Sequence, residues 1–189
     1  MDRWWKGRIE FMSYKTLKNM SELKTPRLSL KAYEESDERA LVDLLLNEEI
    51  KRTFMIPDFK TREEAEVMFN QLKDFSHSKD HFEYGIFLKD NLIGFINDCV
   101  IEKDTIELGY VIHPDYRGNG YAPEALSAAI NELFRVGFNH ITAAFFEENL
   151  ASKRVLEKCG MQKLNKDDYI EYHGSSHHCF YYGISKSNT

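Results

Sequence analysis

The sequence predicts an α/β domain built on one mixed sheet, an antiparallel meander followed by a βαβ unit. Three strand patterns, residues 82–88, 92–101 and 105–113, follow one another across turns at Asp90-Asn91 and Lys103-Asp104. Turns this short force antiparallel neighbours. A glycine-rich turn then leads into a segment whose stripe is Ala122, Leu126, Ala129, Ile130, Leu133 and Phe134, the spacing of a helix packed on a sheet. After the stop at Gly137 another strand pattern covers residues 140–146. A strand–helix–strand crossover of that length makes its two strands parallel.

The remaining elements read in order. Residues 1–20 carry Trp4, Trp5 and many cations without a clear period. They read as a helical or loosely ordered arm; a mobile tail and a dimer or groove contact through the tryptophans are both open. Pro26-Arg27-Leu28-Ser29-Leu30-Lys31 alternates after a proline, the pattern of an entering edge strand. Ser36 is placed to cap a helix with Ala40, Leu41, Leu44 and Leu45 on one face. Thr61-Arg62-Glu63-Glu64 reads as a capping box before a helix with the stripe Ala65, Met68, Phe69 and Leu72. In the strand over 105–113, Ile106, Leu108, Tyr110 and Ile112 face one way and Glu107, Gly109, Val111 and His113 the other. Both faces are largely apolar, so this strand is expected to be covered on both sides. Pro123 suits the first position of the following helix. A last helix over 150–159 ends at Gly160, and residues 163–184 read as two strands around Gly174-Ser175-Ser176.

Composition narrows the class. With 189 residues, 42% apolar and 30% charged, the chain suits one domain with a real core and is not disordered. Lys plus Arg is 25 against 31 Asp plus Glu, a net charge of −6, so the broad positive footprint of a nucleic-acid binder is missing. No apolar run approaches the ~20 residues that cross a bilayer, and the start Met1-Asp2-Arg3-Trp4-Trp5-Lys6 lacks a signal-peptide core. Three cysteines, Cys99, Cys159 and Cys179, are an odd and sparse set, which argues against a disulfide framework and for a reducing compartment. The expectation is a cytoplasmic single-domain protein with no membrane and no direct nucleic-acid partner.

The most informative stretch is Arg117-Gly118-Asn119-Gly120-Tyr121-Ala122. Two glycines two residues apart permit backbone conformations closed to other residues and leave no Cβ in the way of a ligand. The helix that follows presents unpaired N–H groups and the positive end of its dipole. Together these form a cradle for a phosphate or pyrophosphate, to which Arg117 can add a charge-assisted contact. A glycine turn that merely closes a strand–helix connection is the competing reading. The known nucleotide loops do not fit. A dinucleotide fingerprint needs a third glycine where Pro123 stands and belongs after the first strand of a parallel sheet. Gly-Lys-Ser/Thr of the Walker type is absent, and a kinase glycine loop lies between strands.

Arg117-x-x-Gly120-x-Ala122, placed after a strand and before a helix, resembles the acyl-CoA loop of the GNAT N-acetyltransferase superfamily. Asn149-x-x-Ser152-x-x-Val155-x-x-Lys158-x-Gly160-Met161 is similar to the second half of that fold. Three further stretches resemble the ribosomal-protein N-terminal acetyltransferases (RimJ/RimL-like): Thr25-Pro26-Arg27-Leu28, Gly109-Tyr110-Val111-Ile112-His113-Pro114, and Tyr172-His173-Gly174 with Tyr181 and Tyr182. The resemblance implies a GNAT-like acyl-CoA N-acyltransferase fold over residues 23–185, with residues 1–22 as an N-terminal extension. It implies a sheet splayed between the strand ending at His113 and the strand starting at His140, with acetyl-CoA in the split. Backbone groups of Tyr110, Val111 and Ile112 would pair with the pantetheine arm like an added strand. The amides of Arg117, Gly118, Asn119, Gly120, Tyr121 and Ala122 would hold the pyrophosphate. By the same carry-over, Asn149 and Ser152 would approach the cofactor; an N-cap and a small packing residue are their structural alternatives. No metal is implied.

For the chemistry, a neutral amine must attack the thioester carbonyl. An α-amine titrates near ~8 and a lysine side chain near ~10.4, so a weak base or water relay suffices for the former. Glu107, on the central strand shortly before the cofactor segment, is the expected general base; a salt-bridged carboxylate at a strand end is the alternative, and Asp98 is a second candidate. Many GNAT enzymes use a tyrosine acid in the helix after Asn149; the matching position here is Leu156, so that role is vacant. Thiolate is a tolerable leaving group because thiols titrate near ~8.5, and the N–H near Ile112 can polarise the carbonyl. Direct transfer in a ternary complex is expected. Cys159 falls on an apolar helix face with Val155 and reads as structural. His177 and His178 point to opposite faces of a strand, so with His173 and Cys179 they make no metal site. Glu34, Glu35, Glu63, Glu64 and Glu66 read as solvated helix faces, favouring a cationic substrate if any line the acceptor groove. The expected partners are acetyl-CoA and a primary amine, a protein N-terminus or a small amine such as a polyamine, amino acid or aminoglycoside; a CoA-binding module without turnover is the alternative. The chain is expected to be a monomer or homodimer.

Overall fold

The computed structural model describes Leu17 and residues 21–187; the arm carrying Trp4 and Trp5 lies outside the described residues. Strands β1 (Leu23–Lys24) and β2 (Leu28–Lys31) lead to helices α1 (Glu38–Leu45), α2 (Glu48–Lys51) and α3 (Arg62–His77). The meander β3 (Glu83–Leu88), β4 (Asn91–Glu102) and β5 (Thr105–Ile112) follows. Then come α4 (Tyr121–Val136), β6 (His140–Phe146), α5 (Leu150–Lys158), β7 (Gln162–Tyr172) and β8 (Ser175–Ser185). The eight strands form one sheet in the order β1-β2-β3-β4-β5-β6-β8-β7. Each neighbouring pair is antiparallel except β5–β6, which is parallel as the crossover requires.

Two cores sandwich the sheet. On one face Ala125, Leu126, Ala129, Ile130 and Leu133 of α4 and Leu156 of α5 pack on Ile86, Ile96, Ile106 and Leu108. On the other, Leu41, Leu44 and Leu45 of α1 and Ala65, Phe69 and Leu72 of α3 pack on Phe95 and Val111. β5 feeds both cores, Ile106, Leu108 and Ile112 to the first and Val111 to the second. It is therefore the buried central strand its two-sided pattern predicted. Leu17 also sits in the first core, 5% exposed.

Local chemistry moved several boundaries. Ser36 does not cap α1: a 3-10 turn over Glu35–Asp37 precedes the helix, and the carboxylate of Asp37 accepts the N–H of Glu34 at 2.8 Å. A short acidic side chain at the third position outcompetes the serine because it reaches back to the orphan donor. Thr61 accepts from the N–H of Glu64 as expected (3.3 Å), but the Glu64 carboxylate reaches Lys60 N–H at 2.6 Å, one residue beyond the cap. Helix α2 went unread because four residues carry too little period; Asn47 starts it by accepting from Glu49 and Ile50. Helix α4 starts at Tyr121, with Pro123 third, at no cost because first-turn N–H groups have no helical partner. β2 is not the sheet edge: β1 pairs outside it. The last hairpin turns at His173-Gly174, both at positive φ (49° and 74°), and Ser175 and Ser176 already belong to β8.

Leu126 is fully buried under the sheet. Leu126→Ala is expected to lower unfolding stability by about 2–5 kcal/mol. Val67→Ala, on the exposed face of α3, is expected to change it by less than about 0.5 kcal/mol. Urea titration of the two variants checks the contrast, and equal losses would contradict the packing described.

Candidate active site

The parallel pair holds for three residues only: Thr105↔His140, Ile106↔Ile141 and Glu107↔Thr142. Beyond them β6 stays with β8, Ala143↔Tyr182 through Phe146↔Cys179, and β5 stays with β4 as far as Ile112↔Gly94. The sheet opens between the two. His113 donates its N–H to Ile93 of β4 at 2.8 Å. Because ladder groups alternate in direction, the N–H and C=O of Ile112 and Tyr110 turn the other way, toward the opening. The Ile112 carbonyl accepts Arg117 Nε at 3.1 Å, which leaves the Ile112 N–H and both backbone groups of Tyr110 along the split, a template for an extended ligand.

At its wide end lies the glycine loop. Gly118 and Gly120 adopt φ of 80° and 79°, a region side chains rarely enter. A Cβ at Gly118 would meet nothing within 4 Å, so the glycine answers a backbone need and leaves the surface bare. The N–H of Arg117 is taken by Pro114 O at 3.1 Å. Those of Gly118, Asn119, Gly120, Tyr121 and Ala122 have no acceptor among the described residues. The expected cradle therefore begins one residue later than the sequence suggested. Arg117 also departs from expectation: its Nε donates to Ile112 O at 3.1 Å and its NH1 pairs with Glu49. Its guanidinium braces the strand-to-loop corner.

Across the split, Asn149 is the N-cap of α5, accepting from Ser152 N–H at 3.1 Å and donating to Thr53 O at 3.4 Å. Its side chain is spent on cap and loop. Ser152 shares a hydrogen bond with the Tyr110 hydroxyl at 2.8 Å. Burial raises the Tyr110 pKa, so the phenol stays protonated. Sequence reasoning had used only the backbone of Tyr110; a tyrosine on a strand edge carries no signal of where its hydroxyl ends.

A cavity of about 380 Å³ joins these parts. Arg117, Arg154 and Lys158 line it with the glycine loop; Glu107, Cys99, Cys179, Phe146 and Met55 line it with Gly109. Among the described residues of this lining, Glu107 is the one carboxylate. Asp98 is elsewhere: buried, it accepts Phe82 N–H at 2.7 Å and faces His81 Nδ1 at 3.4 Å. Glu34, Glu35, Glu63 and Glu64 are exposed and Glu66 is half-buried, and none lines the cavity. Cys159 lies 3.4 Å from Ser127 Oγ with its thiol pKa pushed up by burial, the state of an inert thiol.

Tyr172 was quoted as a motif without a role. Its hydroxyl accepts the N–H of Ile56 and lies 3.2 Å from the carbonyls of Phe54 and Ile56. With Asn149 on Thr53, it straps the loop after α2 to the far half of the sheet. A buried tyrosine hydroxyl needs a partner, and the loop backbone supplies it. The turn between β6 and α5 is held in a similar way. His178 contacts Glu147 at 3.0 Å and Asp167 at 3.2 Å, and His177 contacts Glu148 at 2.9 Å. The two rings do face apart: His177 stacks on Phe146 and His178 on Tyr169. Among the described residues, no three His, Cys, Asp or Glu side chains are grouped to hold a metal ion. No helix among them is long and apolar enough to cross a membrane.

Known proteins share this arrangement. The acetyltransferase (GNAT) domain model matches residues 27–162. The chain is 31% identical over 146 residues to the uncharacterized N-acetyltransferase YoaA of Bacillus subtilis (strain 168), covering 75% of this chain and 82% of that one. Against the uncharacterized protein YkkB of the same organism it is 32% identical over 153 residues, covering 75% and 85%. A GNAT-family acetyltransferase structure from Bacillus anthracis superimposes with a TM-score of 0.75 at 26% identity, covering 87% and 98%. RimL, a ribosomal L7/L12 alpha-N-protein acetyltransferase solved with coenzyme A, gives a TM-score of 0.77 at 19% identity with the same coverage, a likeness of fold. The chain belongs to the GNAT family of acetyl-CoA-dependent N-acetyltransferases.

Two outcomes follow from the straps. Tyr172→Phe is expected to cost about 1–3 kcal/mol, since it leaves buried loop groups without a partner, and to speed exchange of the Ile56 amide. Unchanged exchange would contradict the strap. Hydrogen bonding to Glu147, and then to Asp167, raises the His178 pKa above its ordinary 6.5. A raised folded-state pKa stabilises fully below the unfolded value and is lost as pH rises through the folded value. The melting-temperature advantage of the protein over His178→Gln is therefore expected to be fully present below about pH 6.5 and to shrink as pH rises through the folded-state value; an advantage growing with pH would contradict it.

Proposed function

We propose that the chain transfers the acetyl group of acetyl-CoA to the α-amine of a protein or peptide N-terminus, by direct attack in a ternary complex. The observation that carries this is one continuous cavity whose described residues place amides without a protein acceptor and cations at one end and a single carboxylate, Glu107, at the other. Gly118 to Ala122 would hold the pyrophosphate through backbone N–H groups, with Arg154 and Lys158 adding positive charge. The outward N–H of Ile112 and the N–H and C=O of Tyr110 would carry the pantetheine arm, leaving Val111 to pack in the core behind it.

Glu107 acts as general base on the amine. A lone carboxylate among Phe146, Met55, Gly109 and two thiols suits one amine on a small uncharged body. A polyamine or aminoglycoside carries several cations and calls for several carboxylates. An α-amine also gives up its proton at about two pH units below lysine, within reach of an ordinary carboxylate. The Tyr110–Ser152 hydroxyl pair lies in the same lining and offers a donor to the departing thiolate, where Leu156 offers none. Likeness of fold to RimL supports grouping the chain with RimJ/RimL-like enzymes. The transferase domain is placed at residues 23–185, and the sparse cysteines favour the cytoplasm.

The test is CoA release from acetyl-CoA with a panel of amines. Peptides with a free α-amine are expected to accelerate it and N-acetylated peptides to have no effect. Acceleration only by polyamines or aminoglycosides would overturn the acceptor class, and acceleration by nothing would leave a CoA-binding module. Glu107→Gln is expected to lower kcat by about 10²–10⁴, most strongly at low pH where free hydroxide cannot substitute; an unchanged pH profile removes Glu107 as base.

A further inference from the structure

We infer that Arg27 is a positioning residue for the phosphate loop, setting affinity for the diphosphate of the cofactor without touching the transfer; this rests on the acetyl-CoA reading above. Its contacts converge on the loop and the helix start. Nε donates to Glu124 Oε2 at 2.7 Å, and NH2 stands 2.6 Å from the same oxygen. The Arg27 backbone N–H donates to Glu124 Oε1 at 3.0 Å, and NH1 donates to Asn119 O at 2.9 Å. The guanidinium lies 4.6 Å above the Tyr121 ring. Thr25 adds its hydroxyl to Glu124 Oε1 at 2.5 Å and accepts Leu28 N–H at 2.8 Å, tying this corner to β2. Against the upward pull of burial, the bonds from Thr25 and Arg27 hold the Glu124 carboxyl below its usual range.

The bond to Asn119 O decides the direction of an amide. In a trans peptide the C=O and the next N–H point opposite ways. Fixing Asn119 O toward Arg27 aims the Gly120 N–H away from Arg27. Gly120 lines the cavity and Arg27 does not. On the other side of the residue, Asn119 Nδ2 donates to Tyr116 O and Arg117 O, both at 3.1 Å. The two left-handed glycines flanking Asn119 are the most mobile backbone type. Without Arg27 their ordering would have to be supplied when the ligand binds, which weakens binding. Lysine, a point charge without a planar fork, cannot serve Glu124 and Asn119 together.

The experiment compares acetyl-CoA with S-acetylpantetheine, which keeps the thioester arm and lacks the diphosphate. Arg27→Ala is expected to raise KM for acetyl-CoA on the order of tenfold, the loss of one charge-assisted bond. Saturated kcat with acetyl-CoA, and kcat/KM with S-acetylpantetheine, are expected to stay within about twofold. Arg27→Lys falls between, and it alone supplies the comparison if Arg27→Ala does not fold by thermal melting. Arg135→Ala, which removes an exposed pair with Glu132 on the same helix, changes neither substrate. Equal losses for both substrates, or no loss for either, would overturn the assignment. Calorimetric binding of CoA and of pantetheine gives the same ratio without turnover. A protein that acetylates no amine would thus refute the transfer reading while Arg27 is still judged on that ratio.

Discussion

Two parallel strands that pair for three residues and then part are the constraint on which the rest depends. Each half of the sheet has a stronger attachment elsewhere: β6 runs along β8 for seven residues, and β5 pairs with β4 along its whole length, across one bulge at Cys99. Both attachments pack into the core under α4 and α5, and α1 and α3 cover β4 and β5 on the other face. Past Glu107 and Thr142 the two strands no longer pair with each other, while each keeps its outer partner. An unpaired edge inside a protein is costly unless something pairs with it. The opening is therefore a standing demand for a ligand with an extended polar backbone of its own.

The other features serve that opening. The βαβ crossover brings the start of α4 to its wide end, so the amides of Gly118 to Ala122 and the positive end of the helix dipole lie where the strand edge ends. Arg117 holds the corner between edge and loop through Ile112 O. Asn149 and Tyr172 hold the far side through the loop at Thr53–Ile56. Among the described residues, the cations of the lining gather at the loop end and Glu107 lies at the other, so the cavity has a direction.

Much of this was legible. Strand and helix periods located every long element, because two-sided burial of β5 and one-sided burial of α4 leave different patterns in sequence. The glycine pair marked the loop, since glycine enters positive φ at no steric cost and both glycines adopt it. Side-chain commitments were not legible. Arg117 and Asn149 carry the residue types of ligand contacts, yet one braces a strand end and the other caps a helix. For Arg117 nothing in the spacing separates the two uses, because its competing partner Glu49 comes from α2, far away in sequence; for Asn149 the cap on Ser152 is local and was the alternative reading, while the bond to Thr53 is distant. The same holds for Arg27 and Glu124, 97 residues apart. Ser36 failed for a local reason: Asp37 supplied a better reach to Glu34.

The most direct test of the central claim is amide NMR during titration with CoA and then with pantetheine. CoA should shift the amides of Gly118, Asn119, Gly120, Tyr121 and Ala122 and slow exchange at Tyr110 and Ile112. Pantetheine should affect only the latter pair. Saturable binding of CoA that leaves both groups of amides unmoved would contradict the account.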